Sequence, residues 1–283
     1  MRIVRKPADL RLLIRRAKGR GKRVGFVPTM GALHEGHYSL IRRARLESDC
    51  VVVSIFVNPI QFNRKKDLRS YPRMLRHDAQ GASEAGADIL FVPSADAMYP
   101  PDFQTSIEVK RLTQLWEGKF RPAHFQGVAT VVTKLFHLVQ PDLAYFGEKD
   151  AQQARIIKQL IQDLNFDLTL RICPTVREKD GLALSSRNRL LSSSARRSSS
   201  VLFQALQEAR RLIKCGERRG FIVVRRMKGL IREKVPGARI DYAAVVDRKT
   251  FESVRTIQGP MYLLLAVWIG SVRLIDCCPV NPS

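Results

Sequence analysis

The sequence predicts an α/β protein in which a doubly wound parallel sheet is followed by a smaller α+β domain. Three observations carry this reading. Apolar runs of strand length, such as Val24–Val27 and Cys50–Val57, are almost continuous, as strands covered on both faces require. They alternate with longer segments whose apolar residues recur at helical spacing. After Pro174 the texture shifts to a polar, glycine-containing stretch, then helices, then strands. The 283 residues suffice for one large or two medium domains with a real core. The expected domains are 1–173 and 174–283.

In chain order, Pro7–Arg20 reads as a helix with Leu10, Leu13, Ile14 and Ala17 on one face, ended by Gly19 and Gly21. Strand Val24–Val27 leads through a loop into a helix over 38–48. Strand Cys50–Val57 runs into Asn58-Pro59-Ile60-Gln61-Phe62. A helix at Leu75–Ala85 precedes a third strand at Asp88–Pro93. Residues 100–122 read as irregular, with a short strand expected at Thr105–Val109. A helix from Val128 to Val139 leads to a fourth strand, Asp142–Phe146, followed at once by Gly147-Glu148-Lys149-Asp150. A helix at Ile156–Leu164 and a fifth strand at Asp167–Ile172 complete the alternation. Beyond Pro174, residues 178–189 read as a loop. Ser192–Lys214 reads as one long helix capped by Ser192 or Ser193, and Phe221–Val235 as another. Ile240–Val246, Met261–Trp268 and Ser271–Asp276 read as strands.

Composition bounds the function. With 45% hydrophobic and 27% charged residues the chain is an ordinary globular one. Its longest apolar run, Met261–Ile269, falls far short of the roughly 18–20 residues that span a bilayer. The N-terminus lacks the apolar core of a signal peptide. A cytoplasmic protein with no membrane partner is expected. The five cysteines are odd in number and form no Cys-x-x-Cys pair, which argues against a disulfide or metal framework. Vicinal Cys277-Cys278 leaves a redox role open. The net charge of +23 divides as +11 over residues 1–173 and +12 over the remaining 110. Such a field favours phosphate-bearing small molecules, nucleic acid or anionic lipid. The arginines are scattered rather than blocked with aromatics, however, so a solvated basic surface is the plainer reading and nucleic acid is not an expected partner.

Four loops carry chemistry. Residues 28–37, Pro-Thr-Met-Gly-Ala-Leu-His-Glu-Gly-His, cross from strand to helix and put two histidines where the helix starts. Its unpaired N–H groups and positive dipole end suit a phosphate. Two surface histidines on a turn is the alternative. The loops at 58–62 and 147–153 also follow strands, so a parallel sheet brings all three to one edge. Lys149 can neutralise phosphate charge, while Asp150 can cap the next helix or accept from a ribose hydroxyl. Ser185-Ser186-Arg187, in an open loop, offers two hydroxyls and a guanidinium to phosphates. Gln61 and Gln153 can hold a carboxylate, a hydroxyl or an amine.

In order and spacing, the 28–37 stretch resembles the pantoate–β-alanine ligase family. So do Ser-Ile-Phe-Val-Asn-Pro-Ile-Gln-Phe at 54–62, Lys-Leu-Phe-His-Leu-Val-Gln-Pro-Asp at 134–142, Phe-Gly-Glu-Lys-Asp at 146–150 and Asp-Gly-Leu-Ala-Leu-Ser-Ser-Arg-Asn at 180–188. The resemblance weakens towards Trp268 and Arg273-Leu274-Ile275-Asp276. It implies a Rossmann-like nucleotidyltransferase fold, whose histidine motif is related to that of class I aminoacyl-tRNA synthetases. It also implies ATP-dependent joining of (R)-pantoate to β-alanine through a pantoyl-adenylate, giving pantothenate, AMP and pyrophosphate. By that similarity His34, His37, Lys149 and Arg187 are the catalytic donors. ATP would be held by Met30, Gly31, His34, Gly36, His37, Gly147, Glu148, Lys149, Asp150, Val176, Leu184, Ser185, Ser186 and Arg187. Of these, Gly147 and Asp150 would take the ribose, and Val176 and Leu184 the adenine. Gln61 and Gln153 would hold pantoate, with Gln61 also near β-alanine. Magnesium would accompany ATP without an assigned protein ligand, and a homodimer is implied.

Two departures from the family stand out. Ala123 replaces the glycine of Arg-Pro-Gly-His-Phe, and strain is expected if that position needs a positive φ. Ala151 stands where an aromatic usually follows Lys-Asp. Two other functions stay in view. A nucleotidyltransferase that leaves the nucleotide on its product would release no AMP. An RNA-binding protein would show salt-sensitive association.

Overall fold

The computed structural model describes residues 1–63 and 65–282. Its elements begin with β1 (Arg2–Val4), α1 (Pro7–Lys18), β2 (Val24–Thr29), α2 (Glu35–Glu47) and β3 (Cys50–Ile55). There follow α3 (Lys65–Ser70), α4 (Leu75–Glu84), β4 (Ile89–Phe91), α5 (Ala95–Met98), α6 (Trp116–Phe120) and α7 (His124–Val139). Then come β5 (Leu143–Gly147), α8 (Ala151–Asp163) and β6 (Thr169–Cys173). The last elements are α9 (Ser193–Ser198), α10 (Val201–Lys214), α11 (Gly220–Lys234), β7 (Arg239–Asp247), β8 (Met261–Ile269) and β9 (Val272–Val280). Contacts divide the chain into two compact units. The first comprises residues 1–147 and 153–173; the second comprises residues 148–152 and those from 174 onwards.

In the first unit the apolar runs become buried strands, and every residue of β3 is buried. All strand pairs in its sheet are parallel, in the order β1-β4-β3-β2-β5-β6. The chain leaves β2 for β3 on one side and β5 for β6 on the other, so the strand order reverses between β2 and β5. Successive strand residues point to opposite faces, and both faces are covered. Val27, Val51, Val53, Leu90 and Tyr145 pack with Ile41 and Ala44 of α2 and Ala82 of α4. Phe26, the neighbour of Val27, points the other way and meets Phe136 of α7 edge-on at 6.4 Å. This is the doubly wound sheet the sequence predicts.

The second unit is a three-stranded antiparallel sheet, β7-β8-β9, with α10 and α11 packed on it. Its core joins Leu202, Leu206 and Ile213 of α10, Val223 and Met227 of α11, and Leu263, Leu265 and Leu274 of the sheet.

Several expectations are corrected. Thr105–Val109 forms no strand; the Ile107 N–H goes to the Thr130 hydroxyl of α7 at 3.0 Å, not to a strand partner. The long helix expected over Ser192–Lys214 is two, α9 and α10. They part at Ser199, whose buried hydroxyl returns to the Arg196 carbonyl at 2.7 Å. The helix expected from Val128 starts at His124, and the one expected from Ile156 starts at Ala151. The sequence reading omits β1, which is short and has only Val4 buried.

Candidate active site

The C-terminal ends of β2, β3 and β5 lie side by side at the reversal of strand order, where open α/β sheets bind ligands. Met30 and Gly31 leave β2 there. Thr29 fixes their path: its hydroxyl donates to the Ser54 carbonyl at 2.7 Å and accepts from the Gly31 N–H at 3.1 Å. Gly31 has φ +85°, and a Cβ there would lie 3.0 Å from Ile55 and 3.1 Å from Asp78, so no other residue fits without strain. The Asp78 carboxylate, 1% exposed, accepts from the N–H groups of Ala32 at 2.9 Å and Leu33 at 2.7 Å. Asp78 thus holds the turn that delivers the histidines. Local sequence does not mark Asp78 for this part, since its partners lie 46 and 45 residues away.

His34 caps α2 and His37 stands in its first turn. The two form a reciprocal capping box. His34 Nδ1 accepts from the Gly36 N–H at 3.2 Å, and His37 Nδ1 accepts from the His34 N–H at 3.3 Å. With both Nδ1 atoms accepting, each neutral ring carries its proton on Nε2. Both rings therefore offer an Nε2–H donor without being charged. Their centroids are 4.2 Å apart. The positive dipole end of α2 lies beside them, although the Gly36 and His37 N–H groups of its first turn are already bonded to His34.

Gln61 sits in the 3-10 turn Pro59–Gln61 after β3 and is buried. Gly127 of α7 presses on this turn: a Cβ there would lie 2.6 Å from the Ile60 carbonyl oxygen and 2.7 Å from Gln61 Cα. The amide of Gln61 has a fixed direction. Asn58 Nδ2 donates at 3.0 Å to the Gly127 carbonyl, which can only accept, and at 3.0 Å to Gln61 Oε1. The Tyr99 hydroxyl donates to Asn58 Oδ1 at 2.9 Å, and burial pushes its phenol pKa up, so it stays protonated. Gln61 consequently presents Nε2 as a donor, directed in this structure at Met30 Sδ. The Gln61 carbonyl is held by His124 Nδ1 at 2.9 Å, while Arg121 donates to His124 Nε2 at 3.1 Å. Asn58, Tyr99 and His124 are supports that local sequence patterns do not reveal. Gly147 ends β5 at the same sheet edge, and half-buried Gln153 lies in the first turn of α8.

The second unit carries the remaining residues. Lys149, Ser185 and Arg187 line one pocket together with Asn188, Leu202 and Arg273. Lys149 is mostly buried and lies 3.7 Å from the half-exposed carboxylate of Asp150. The Glu148 carboxylate accepts from the Tyr262 hydroxyl at 3.1 Å. The stretch expected as an open loop is built differently. Val176 and Leu184 face each other across a hairpin, with the Leu184 N–H on the Val176 carbonyl at 3.0 Å. Ser185 then caps the 3-10 turn Ser186–Leu190, accepting from the Arg187 N–H at 3.3 Å. Asn188 ties that turn back to the Ala183 carbonyl at 3.0 Å. The vicinal cysteines form no redox pair. They point to opposite faces of β9, and burial pushes both thiols up, well up for Cys277, which disfavours the thiolate that exchange needs.

Among the described residues, no group of three His, Cys, Asp or Glu forms a metal cage, and no helix is long and apolar enough to cross a membrane.

Comparison with known proteins finds similarity over nearly the whole chain. A family model described as pantoate-beta-alanine ligase matches residues 2–279. A pantothenate synthetase of Caldicellulosiruptor saccharolyticus is 48% identical over 277 residues, covering 98% of this chain and 98% of that protein. The crystal structure of pantothenate synthetase from Thermus thermophilus matches with TM-score 0.94 at 45% identity, over 100% of both chains. That of a pantoate-beta-alanine ligase from Francisella tularensis, complexed with beta-gamma ATP and beta-alanine, matches with TM-score 0.81 at 36% identity, again over 100% of both.

Proposed function

The chain belongs to the pantoate–β-alanine ligase family, and from this premise we infer how its residues divide the work. The protein is an enzyme that joins (R)-pantoate to β-alanine at the expense of ATP. It does so through a pantoyl-adenylate, releasing AMP and pyrophosphate. The observation that carries our assignment of residues is the reciprocal capping of α2 by His34 and His37, which presents two uncharged Nε2–H donors beside a helix N-terminus.

Pantoate's carboxylate is itself the nucleophile, so no side chain needs to become covalently attached. The enzyme has to align that carboxylate with the α-phosphorus of ATP and to stabilise charge on the phosphate oxygens. We assign the second task to His34, His37, Lys149 and Arg187. Met30, Gly31, Gly36, the backbone of Glu148, Ser185 and Ser186 complete the nucleotide contacts. Gly147 and Asp150 take the ribose, and Val176 and Leu184 the adenine. Gln61, fixed as a donor, suits the oxygens of pantoate and of β-alanine's carboxylate, and Gln153 completes the pantoate contacts. Neither glutamine adds a competing nucleophile. ATP enters as its magnesium complex, since a hard cation of this size is held chiefly by phosphates and water. In domain terms, residues 1–173 supply the pantoate contacts and the histidine pair, and residues 174–283 supply the Ser-Ser-Arg phosphate loop.

We propose further that the enzyme works in the cytoplasm as a homodimer. The five cysteines are free thiols, as a reducing compartment favours, and β6 is an edge strand of its sheet with Ile172 exposed. Light scattering of the eluted protein reads the dimer directly.

Isotope exchange between pyrophosphate and ATP tests the function. Exchange is expected to require pantoate and to proceed without β-alanine. His34→Ala and His37→Ala are each expected to slow it by roughly 100- to 1,000-fold, the cost of a lost charge-stabilising donor. Exchange that ignores pantoate, or none in the unaltered enzyme, defeats the reading.

A further inference from the structure

The hairpin that leads into Ser185–Arg187 is fastened to β9 by a buried ion pair. Arg177 Nη1 lies 2.7 Å from Asp276 Oδ2, and Nη2 lies 2.9 Å from Oδ1. The same guanidinium donates to the Gly181 carbonyl at the hairpin tip (3.0 Å) and to the Cys277 carbonyl (3.2 Å). It also stacks 4.7 Å from the Phe203 ring of α10. Asp276 is 3% exposed and accepts in addition from the Cys277 N–H at 2.8 Å. Burial raises its pKa, and the Arg177 charge opposes that rise.

The next residue of β9 faces the other way and holds a different segment. The Cys277 thiol, 2% exposed, donates to the Glu148 carbonyl at 3.0 Å, while Tyr262 of β8 holds the Glu148 carboxylate. Glu148 immediately precedes Lys149. Two adjacent residues of one strand thus reach the two segments that bring Lys149 and Arg187 to one pocket.

We propose that the Asp276–Cys277 dipeptide is a positioning element for the triphosphate of ATP, Asp276 setting the Ser185–Arg187 turn and Cys277 setting the Lys149 turn. The inference rests on the assignment of Lys149 and Arg187 to the ATP phosphates. Asp276 borders that pocket, but its carboxylate is taken up by Arg177 and the Cys277 N–H, and the Cys277 thiol by the Glu148 carbonyl. The two residues act by fixing the separation of two cationic groups against a ligand of fixed length, and a displacement of about 1 Å at such groups can cost about 100-fold.

The test follows pantoate-dependent pyrophosphate–ATP exchange, with KM for ATP, KM for pantoate, kcat and the thermal midpoint measured for each variant. Asp276→Asn keeps the shape and removes the charge. The double variant Arg177→Met/Asp276→Leu removes both charges at once, which spares the fold an unpaired buried ion. Both are expected to raise KM for ATP, or to lower kcat, by about tenfold while leaving KM for pantoate unchanged. Cys277→Ala is expected to do the same more weakly, and Cys277→Ser, which keeps a donor towards Glu148, to restore the parent values. A double variant with parental ATP kinetics, or alanine and serine variants that behave alike, overturns the proposal. Lys149→Ala and Arg187→Ala serve as references. If they leave the ATP dependence unchanged, it is the phosphate assignment that fails; if they impair it while the dipeptide variants do not, only the positioning role fails.

Discussion

Gln61 shows how far a single residue's chemistry depends on its neighbours. Its amide would be ambiguous alone, and Asn58, pinned by a carbonyl that can only accept, removes the ambiguity. The residues assigned to the ligand could be proposed from sequence because their types suit phosphates and they stand together in short motifs. Asn58, Asp78, Tyr99 and His124 could not, since their partners lie 3, 46, 41 and 63 residues away and pattern reading sees only the nearest of these, where asparagine and glutamine look like any polar pair. Ala123 is a residue-scale departure whose consequence was legible. It adopts φ +61° ahead of α7, a conformation that favours glycine. Ala123→Gly is expected to stabilise the fold by about 0.5–1 kcal/mol, the relief of strain less the extra freedom of the unfolded chain. A thermal melt should rise by about 1–3 °C with activity unchanged, and a fall would refute the strain.

At the scale of elements, α10 and α11 are joined by charge as well as by their apolar faces. Glu208 of α10 pairs with Arg211 one turn on at 2.9 Å and with Arg226 of α11 at 3.1 Å. Hydrogen bonds from these two arginines hold its carboxyl down to about 2, against an ordinary value of 4.5. Because the folded pKa is the lower, this stabilisation is present above pH 4.5 and disappears as pH falls through about 2. Glu208→Gln is expected to cost about 0.5–1 kcal/mol at pH 7 and only a small fraction of that near pH 2. Thermal melts of both proteins from pH 7 to pH 2 should therefore converge in acid; parallel curves would rule the pairing out as a source of stability. Helix existence was legible throughout this region from apolar spacing, but the break at Ser199 was not. Serine is tolerated in helices, and it is the burial of this one that turns its hydroxyl back on the chain.

For the whole molecule the dominant physical fact is a net charge of +23. Like charges on a compact surface repel, and the repulsion reaches about 30 Å in 0.01 M salt but only about 8 Å at 0.15 M. The thermal midpoint is expected to rise by a few degrees between those two conditions. A midpoint that falls instead would mean that the surface ion pairs outweigh the repulsion. The parallel sheet was legible at this scale because strands covered on both faces are written as unbroken apolar runs, and the helices between them keep their own period. What was not legible was β1, three residues in a basic setting, and the allegiance of residues 148–152, which is decided by tertiary contacts alone.

That allegiance bears on how the protein comes into being. Glu148 finds its two partners 114 and 129 residues later in the chain. During synthesis the Lys149 turn emerges well before β8 and β9, the strands that hold its neighbour Glu148. A chain halted after residue 173 would contain the histidine pair, Gln61 and Lys149, yet Glu148 would lack both Tyr262 and Cys277. The second unit is thus completed by strands made more than a hundred residues after the segment they hold, so that segment has to wait, unseated, while the intervening chain is produced.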